Sequence, residues 1–375
     1  MQGASYSRPG YPSNALDWLR PGVLGSMARG EPAGVLTLTR LLLIQGLRAA
    51  AAMAVVAHHL WHEAYGWPGL AWFGWLPWEA GVDVFFVISG FVMVHASARL
   101  FGVAGARGVF LRRRLARIVP LYWATTAAFL LAMGALPGRV NTPWPDAAQL
   151  AASLVFLPWA RPEGEVQPVY SLGWTLNYEM FFYAVFALCL PLRRGIAVAA
   201  VALMLGLAVL AGAVLPGLPV ALAFWSDPLL LEFGLGMGLA VLVARGLAPP
   251  ALVRLGMAVA GLALMVLLPL EWPRALRFGI GAGLLVAAAA LGQAPRLPAM
   301  PGRWMGALGD ASYALYLVHP FALRGVAIAW ATLGAAGPAA AWLASTAALL
   351  AAMALALACH RWFEAPLTRA LAGRG

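Results

Sequence analysis

The sequence predicts an all-α fold, a polytopic integral membrane helix bundle of about ten transmembrane helices with both termini in the cytoplasm. The chain is 62% hydrophobic and 10% charged, whereas soluble domains carry about 25% charged residues. Apolar runs close to the spanning length of about 20 residues recur along the chain. Arginines gather in alternate connecting segments, as basic residues do in cytoplasmic loops.

The ten apolar runs are predicted to be the transmembrane helices. In chain order they lie at about 41–62, 82–99, 115–135, 171–192, 195–216, 226–245, 251–270, 275–293, 308–331 and 338–359. A further run at 147–160 is 14 residues long. Because spanning needs about 20 residues, this run is predicted to be interfacial or re-entrant.

The positions of the arginines predict the orientation. The segment after the second run holds six of them: Arg99, Arg107, Arg112, Arg113, Arg114 and Arg117. This segment is therefore predicted to be cytoplasmic. If residues 147–160 formed a full span, Arg193 and Arg194 would lie on the outer side of the membrane and break this pattern. The arginine positions therefore favour ten spans. The predicted divisions are a flexible cytoplasmic extension at 1–40, a transmembrane domain at 41–368 and a cytoplasmic tail at 369–375.

Charge and cysteine content exclude several classes of protein. All 25 basic residues are arginine, and the net charge of +11 reflects membrane topology rather than affinity for nucleic acid. Both cysteines, Cys189 and Cys359, fall in apolar runs, which argues against a disulfide framework or a thiolate metal site. No repeat of the kind that builds many transporters is visible.

The first helix carries ionisable residues in the stretch LRAAAAMAVVAHHLWHE. An arginine at the bilayer centre costs at least about 2.5 kcal/mol, so Arg48 is a functional candidate. Arg48 and His59 differ by about 20° around the helix and by about 16 Å along it, and so share a face. His62 is a possible helper and His58 points away. The alternative is that Arg48 snorkels to the interface and His59 caps the helix end.

The next two helices add further candidates. Asp83 opens the second helix, where it could pair with a histidine of the first, and Ser89-Gly90 offers a small surface for close packing. The block FLRRRLARIVPLYW places Arg113, Arg114 and Arg117 at the cytoplasmic entry of the third helix. They are either a topology signal alone or a phosphate clamp, since guanidinium groups bind phosphate bidentately.

The later helices contain a second group of polar residues. Glu179 lies inside a span and is either half of a structural ion pair with Arg48, Arg324 or a histidine, or a catalytic carboxylate. The further candidates, with which a substrate could interact, are Trp174, Asn177, Tyr183, Glu232, Ser312, Tyr313 and His319. Trp174 could instead belong to the interfacial aromatic belt.

Other common chemistries lack support. The segment HHLWHE is rich in ligand types, but the H-E-x-x-H order is absent, so no metal is expected. There is no G-x-S-x-G elbow for a serine hydrolase and no Walker motif for an ATP-driven mechanism.

These segments together resemble the membrane-bound acyltransferase 3 family. The resemblance rests on Arg48 and His59 with ten residues between them, GVDVFFVISGF, the R-x-x-R of Arg114 and Arg117, GWTLNYEMFFY, GDASYALYLVHP and the terminal FEAPL. These motifs occur in order over about residues 41 to 368. GWTLNYEMFFY and SDPLLLEFGLGMG most resemble the subgroup linked to exopolysaccharide production.

The resemblance implies an acetyl-CoA dependent O-acyltransferase of the bacterial cytoplasmic (inner) membrane. Its acceptor would be a polysaccharide or lipid-linked oligosaccharide, and its partners membrane lipid and polysaccharide assembly machinery. Acetyl transfer needs a base, and His59 is that candidate, oriented by Glu179 or Asp83. Arg48 would contact the donor or stabilise charge near the thioester. The R-x-x-R pair Arg114 and Arg117, with Arg113, would hold the CoA phosphates.

Two other classes of protein are kept as alternatives. The first is a secondary transporter or flippase for a glycolipid, with the buried Arg, His and Glu residues as a proton relay. The second is a non-catalytic scaffold of an exopolysaccharide assembly complex, which would not explain why Arg48 and His59 share a face.

Overall fold

The computed structural model describes residues 38–63, 71–136, 142–161, 164–269, 271–292, 299–334 and 337–373. Within these ranges every regular element is helical, and the sole β-type contact is an isolated bridge between Ala160 and Val166. This confirms the predicted all-α class. Residues 1–37 of the extension predicted at 1–40 lie outside the described residues. The tail predicted at 369–375 is helical as far as Ala372.

The helices are defined here in chain order. They are α1 Leu38–Glu63, α2 Gly81–Ala96, α3 Ala106–Ala135, α4 Ala147–Leu154, α5 Trp174–Cys189, α6 Arg194–Val214, α7 Val220–Phe224, α8 Leu230–Ala244, α9 Ala251–Leu267, α10 Ile280–Ala290, α11 Ala299–Asp310, α12 Ser312–Leu333, α13 Pro338–Cys359 and α14 Ala365–Ala372. Short 3-10 turns occur at Ala71–Trp75, Trp78–Ala80 and Ser171–Gly173, and π turns at Ala275–Gly279 and His360–Glu364.

Each of the ten predicted runs contains a helix. Among the described residues, six helical segments are long and apolar enough to cross a membrane: Leu42–Glu63, Trp78–Ala96, Ala106–Ala135, Arg194–Val214, Ser312–Leu333 and Pro338–Ala372. Three more, Leu230–Ala244, Ala251–Leu267 and Ala275–Ala290, are apolar but shorter. The chain is therefore a multi-pass membrane protein, while ten spans with both termini inside stays a prediction.

The run at 147–160 forms only a short helix, α4, of eight residues. Asp146 caps it, because its Oδ1 accepts a hydrogen bond of 2.7 Å from the backbone N–H of Gln149. A helix of this length rises about 12 Å, too little to cross a bilayer.

Helix α2 lies at the centre of the bundle and packs closely against α8. A Cβ added to Gly90 would collide with the carbonyl of Phe233, and one added to Gly236 would collide with the carbonyl of Val87. The two backbones therefore touch through reciprocal glycines, as small residues permit between membrane helices. This confirms the close packing predicted for Gly90 and gives the same role to Gly236, whereas Ser89 donates a hydrogen bond to Glu179.

Aromatic rings fill the space beside this contact. The ring of Phe233 stacks between Phe86 of α2 at 4.7 Å and Phe182 of α5 at 4.5 Å, measured between centroids. All three side chains are buried. They fix α5, and with it Glu179, against the α2–α8 pair.

We expect Gly90→Leu to destabilise the protein by about 1–3 kcal/mol, because the new side chain must force α2 away from the Phe233 carbonyl. The thermal unfolding midpoint of the detergent-solubilised protein measures this. Gly206→Leu on α6 is the matched control, since nothing lies within 4 Å of the position of its Cβ. Equal midpoints for the two variants would contradict the close contact.

Candidate active site

Two cavities contain several of the residues that the sequence singles out. The first, which we call the arginine cavity, has a volume of about 110 Å³. Its polar lining includes Arg48 from α1, Arg114 and Arg117 from α3, and Glu179 from α5. The apolar wall and the remaining lining residues include Val82, Phe85, Phe86, Ile88, Ser89, Val92, Met93, Ile118, Thr175, Leu176, Tyr183, Tyr313 and Tyr316.

Arg114 and Arg117 reach this cavity because residues three apart lie on one face of a helix. Arg113, the third arginine of the predicted clamp, is not among the lining residues. The guanidinium of Arg114 lies 5.9 Å from the ring centre of Phe110, and its Nε is buried without a hydrogen-bond partner. A buried guanidinium with an unused donor is suited to an anionic ligand.

Arg48 is held by a chain of hydrogen bonds. Its Nη1 donates to Oε1 of Gln45 over 2.9 Å, and Nε2 of Gln45 donates to Oδ1 of Asp310 over 2.5 Å. Gln45 lies one turn before Arg48 on α1, and Asp310 ends α11. The sequence reasoning missed Gln45, although its position at i−3 was the available signal.

Glu179 is bound by two hydroxyl groups. Its Oε1 accepts from Ser89 Oγ at 3.0 Å and from Tyr183 Oη at 2.5 Å. The expected partner was Arg48, Arg324 or a histidine. The structure places Glu179 in the same cavity as Arg48, but its hydrogen bonds go to Ser89 and Tyr183 rather than to an arginine or a histidine.

Two tyrosines of α12 complete the arginine cavity. Tyr313 Oη donates to the carbonyl of Ile118 over 2.7 Å, and Tyr316 Oη donates to that of Leu172 over 2.9 Å. Tyr316 Oη also accepts from Thr175 Oγ1 over 2.9 Å. These bonds tie α12 to α3 and to the start of α5, so the cavity has rigid walls.

The second cavity, which we call the histidine cavity, has a volume of about 260 Å³. It is lined by His59, His62 and Glu63 from the end of α1 and by Pro320, Leu323 and Arg324 from α12. Nη1 of Arg324 lies 3.0 Å from Oε2 of Glu63. Four of the six lining residues carry ionisable side chains: His59, His62, Glu63 and Arg324.

His59 lies in the histidine cavity, whereas Arg48 lies in the arginine cavity. Nδ1 of His59 is 2.9 Å from the carbonyl oxygen of Val55. A carbonyl can only accept, so Nδ1 carries the proton and Nε2 of the neutral ring is left as a base. The Val55 carbonyl thus takes the orienting role that Glu179 or Asp83 was expected to have.

Asp83 pairs with an arginine rather than with a histidine. Its Oδ2 is 2.6 Å from Nη2 of Arg274 and its Oδ1 is 3.1 Å from Nε, a bidentate bridge. On the first helix, Nδ1 of His58 is 3.7 Å from Oε2 of Glu79. Asp83 is fully buried and lines neither cavity, so the structure assigns it a structural ion pair.

The predicted substrate contacts separate into two groups. Tyr183 and Tyr313 line the arginine cavity. The others line neither cavity: Trp174, Asn177, Glu232, Ser312 and His319. Glu232 lies beside Asp83, and the amide of Asn177 and the hydroxyl of Ser312 are buried without hydrogen-bond partners. Within the described ranges no group of three or more His, Cys, Asp or Glu residues is placed to hold a metal ion.

Comparison with known proteins points to one kind of enzyme. A family model described as an acyltransferase domain matches residues 42–361. The chain is 36% identical over 304 residues to the exopolysaccharide production protein ExoZ of Rhizobium meliloti (strain 1021), which covers 77% of this chain and 89% of that protein. It is 31% identical over 164 residues to "Protein 2 in picA locus" of Rhizobium radiobacter, covering 40% of this chain and 81% of the relative. No solved structure matches the chain.

We expect Arg274→Ala to lower the free energy of unfolding by about 3 kcal/mol, because it leaves the buried carboxylate of Asp83 without its partner. The change in thermal unfolding midpoint measures this. Arg245→Ala, at an exposed position after α8, is the control and should change little. If the two variants unfold at the same temperature, the ion pair does not stabilise the bundle.

Proposed function

Because the chain belongs to the membrane-bound acyltransferase 3 family, we propose that it transfers an acetyl group from acetyl-CoA to a sugar hydroxyl. The acceptor is an exopolysaccharide or its lipid-linked precursor, in keeping with the name of the relative ExoZ. Each transfer forms an ester bond to the sugar oxygen, breaks the thioester bond and moves the hydroxyl proton to the CoA sulfur. The enzyme is a multi-pass membrane protein, and we propose the bacterial inner membrane as its location.

The observation that carries this proposal is the arginine cavity. Arg48, Arg114 and Arg117 converge from two helices on one space with an apolar wall. Guanidinium groups bind phosphate with paired hydrogen bonds, and CoA joins a phosphorylated nucleotide to a long, slender pantetheine arm. A cavity of about 110 Å³ is too small for a nucleotide, since sites for drug-sized ligands occupy about 300–1,000 Å³. The arm would therefore enter the cavity while the nucleotide stays at its mouth.

The arginines have two tasks in this proposal. Arg114 and Arg117 bind the phosphates of the donor. Arg113 does not line the cavity and contributes only positive charge near its mouth. Arg48 is held in place by Gln45 and contacts the pantetheine arm of the donor inside the arginine cavity. Glu179 balances the charge of the arginines while the cavity is empty, and its hydrogen bond from Tyr183 keeps it against the wall.

His59 is the proposed base. Its Nδ1–H donates to the Val55 carbonyl, which presents Nε2 to the histidine cavity as a proton acceptor. We place the acceptor sugar in that cavity, where His62 and the pair formed by Glu63 and Arg324 can bind its other hydroxyl groups. General base catalysis of this kind contributes about 10²–10⁴-fold to a rate.

We expect Arg114→Ala combined with Arg117→Ala to weaken CoA binding about 100-fold or more, because two charge-assisted contacts at about 1.5–3 kcal/mol each are lost. Calorimetric titration of the solubilised protein with CoA measures the affinity. The control is Arg107→Ala, an exposed arginine on the same helix that donates to the Leu188 carbonyl. Unchanged affinity in the double variant would contradict the phosphate role, and a wild-type protein that binds no CoA would favour the transporter.

We expect His59→Gln to lower the rate of acetyl transfer about 10²–10⁴-fold with CoA affinity unchanged, because the base is lost while the donor site stays intact. The measurement is the transfer of radiolabelled acetyl from acetyl-CoA, in isolated membranes, to polysaccharide from a strain that lacks the gene. His95→Gln, near the end of α2 and outside both cavities, is the matched histidine control. Wild-type transfer by His59→Gln would exclude His59 as the base.

A further inference from the structure

The arginine cavity follows one side of helix α2. The residues of α2 that line it recur at every turn, as residues on one side of a helix do: Val82, Phe85, Phe86, Ile88, Ser89, Val92 and Met93. The first and the last of them, Val82 and Met93, lie eleven positions apart, which corresponds to about 16 Å along the helix. The cavity is therefore elongated and has two ends.

Helices α2 and α5 line the cavity side by side and run in the same direction. Ser89 of α2 bonds Glu179 of α5. Just beyond the ends of both helices, the N–H of Gly102 donates to the carbonyl of Leu190 over 2.9 Å. Residues that are equally many turns away from the Ser89–Glu179 bond therefore lie at the same level along the cavity.

The end of the cavity at Met93 is the charged one. Tyr183 of α5 lies at this level, and its ring centre is 5.8 Å from that of Phe110. The guanidinium of Arg114 lies over the same Phe110 ring, so Arg114 lines this end, with Arg117 one turn further along α3. We call it the arginine end.

The opposite end, which we call the aromatic end, is apolar. The described residues that line it are Val82 and Phe85 of α2, Thr175 and Leu176 of α5 and Tyr316 of α12, and none of them carries a charge. The ring centres of Phe85 and Tyr316 lie 6.4 Å apart, edge toward face. The Tyr316 ring is fixed, because its hydroxyl is bonded both by Thr175 and by a backbone carbonyl just before α5.

The aromatic end faces the histidine cavity. Helix α2 begins there at Gly81, where an added Cβ would meet the side chain of Val55, and the Val55 carbonyl bonds His59 one turn further along α1. Arg48 points the other way, since it bonds Gln45. In the proposed reaction the donor phosphates bind at the arginine end. The acyl group, at the far end of the pantetheine arm, then lies at the aromatic end, on the side of His59.

We propose that Phe85 and Tyr316 limit the length of the acyl group that the enzyme transfers; this inference rests on the proposed function. The pantetheine arm has the same length in every acyl-CoA, so phosphates held by Arg114 and Arg117 fix how far the thioester reaches along the cavity. The methyl group of an acetyl donor then meets the two rings. Each further methylene has to displace a ring, and one methylene too many in a hydrophobic pocket costs about 10–200-fold in kcat/KM. The bonds that form and break are the same for each acyl group.

Phe85 is the ring that can be shortened without the loss of a hydrogen bond, because its side chain has no polar atom. Removal of the Tyr316 side chain would instead break two hydrogen bonds that hold α12 against the start of α5. Phe85 is therefore the position at which the acyl preference can be changed while the other walls of the cavity stay in place.

The test is Phe85→Ala with acetyl-CoA, propionyl-CoA and butyryl-CoA, each radiolabelled in the acyl group. The kcat/KM of each donor is measured in isolated membranes, with polysaccharide from a strain that lacks the gene as acceptor. We expect the wild type to lose at least about 10-fold in kcat/KM for each added methylene. We expect Phe85→Ala to raise the ratio of butyryl to acetyl transfer about 10–200-fold, because the longer chain occupies the space of the ring.

Two control variants separate this effect from a general loosening of the bundle. Phe181→Ala removes a ring that stacks on Trp225 and lines neither cavity. Met93→Ala enlarges the arginine cavity at its arginine end, away from the acyl group. Both should keep the wild-type ratio of butyryl to acetyl transfer.

An unchanged ratio in Phe85→Ala would overturn the length limit. Equal use of acetyl-CoA and butyryl-CoA by the wild type, or an equal rise of the ratio in Met93→Ala, would also overturn it. If Phe85→Ala does not fold, Phe85→Leu replaces it. Because leucine is smaller than phenylalanine, propionyl-CoA should then gain on acetyl-CoA, and an unchanged ratio of these two donors would contradict the proposal.

The same measurements separate the length limit from the proposed function. Acetyl transfer by the wild type together with an unchanged ratio in Phe85→Ala would refute the length limit and leave the proposed function standing. Absence of acetyl transfer by the wild type would refute the proposed function, and the length limit with it.

Discussion

A charge buried inside an apolar helix bundle has to meet a partner, since desolvating it alone costs several kcal/mol. Several ionisable groups of the described bundle follow this constraint. Asp83 is bound by Arg274, and Arg324 by Glu63. Arg48 is connected through Gln45 to Asp310. These contacts join helices that are distant in sequence. The need to pair buried charges therefore also determines which helices lie next to each other.

The groups that lack a partner are then the informative ones. Nε of Arg114 and Nε2 of His319 are both buried without a hydrogen bond. One lines a cavity with two other arginines and the other lies between that cavity and His59. An anion is the species that would satisfy Arg114, and a CoA donor supplies one. Other buried groups also lack partners, among them Glu232 and Arg277, so this argument depends on the convergence of three arginines on one cavity.

The close contact of α2 with α8 gives the site its rigidity. Gly90 and Gly236 bring the two backbones together, and Phe233 of α8 then packs against both α2 and α5. Ser89, next to Gly90, is placed where it can bind Glu179. Packing and polar contacts are therefore joined at neighbouring residues, and a shift of α2 would disturb the arginine cavity directly.

Much of this could be read from the sequence. Apolar runs of spanning length predicted the all-α class and the position of the helices, because helix formation in a membrane depends on local composition. The R-x-x-R motif of Arg114 and Arg117 marked both as candidates for binding phosphate, and the structure places both in one cavity. The number of ten spans and the orientation of the chain in the membrane still rest on the placement of the arginines alone.

Tertiary structure decided which polar groups meet, because those partners lie up to 265 residues apart along the chain and no periodicity within one helix encodes them. In the folded protein Asp83 pairs with Arg274 rather than with a histidine. His59 is oriented by the Val55 carbonyl rather than by a carboxylate. The tertiary structure also placed Arg48 and His59, which share a face of α1, in two different cavities. The sequence by itself determined which helices form and which residues are costly to bury; the packing of the helices determined how that cost is met.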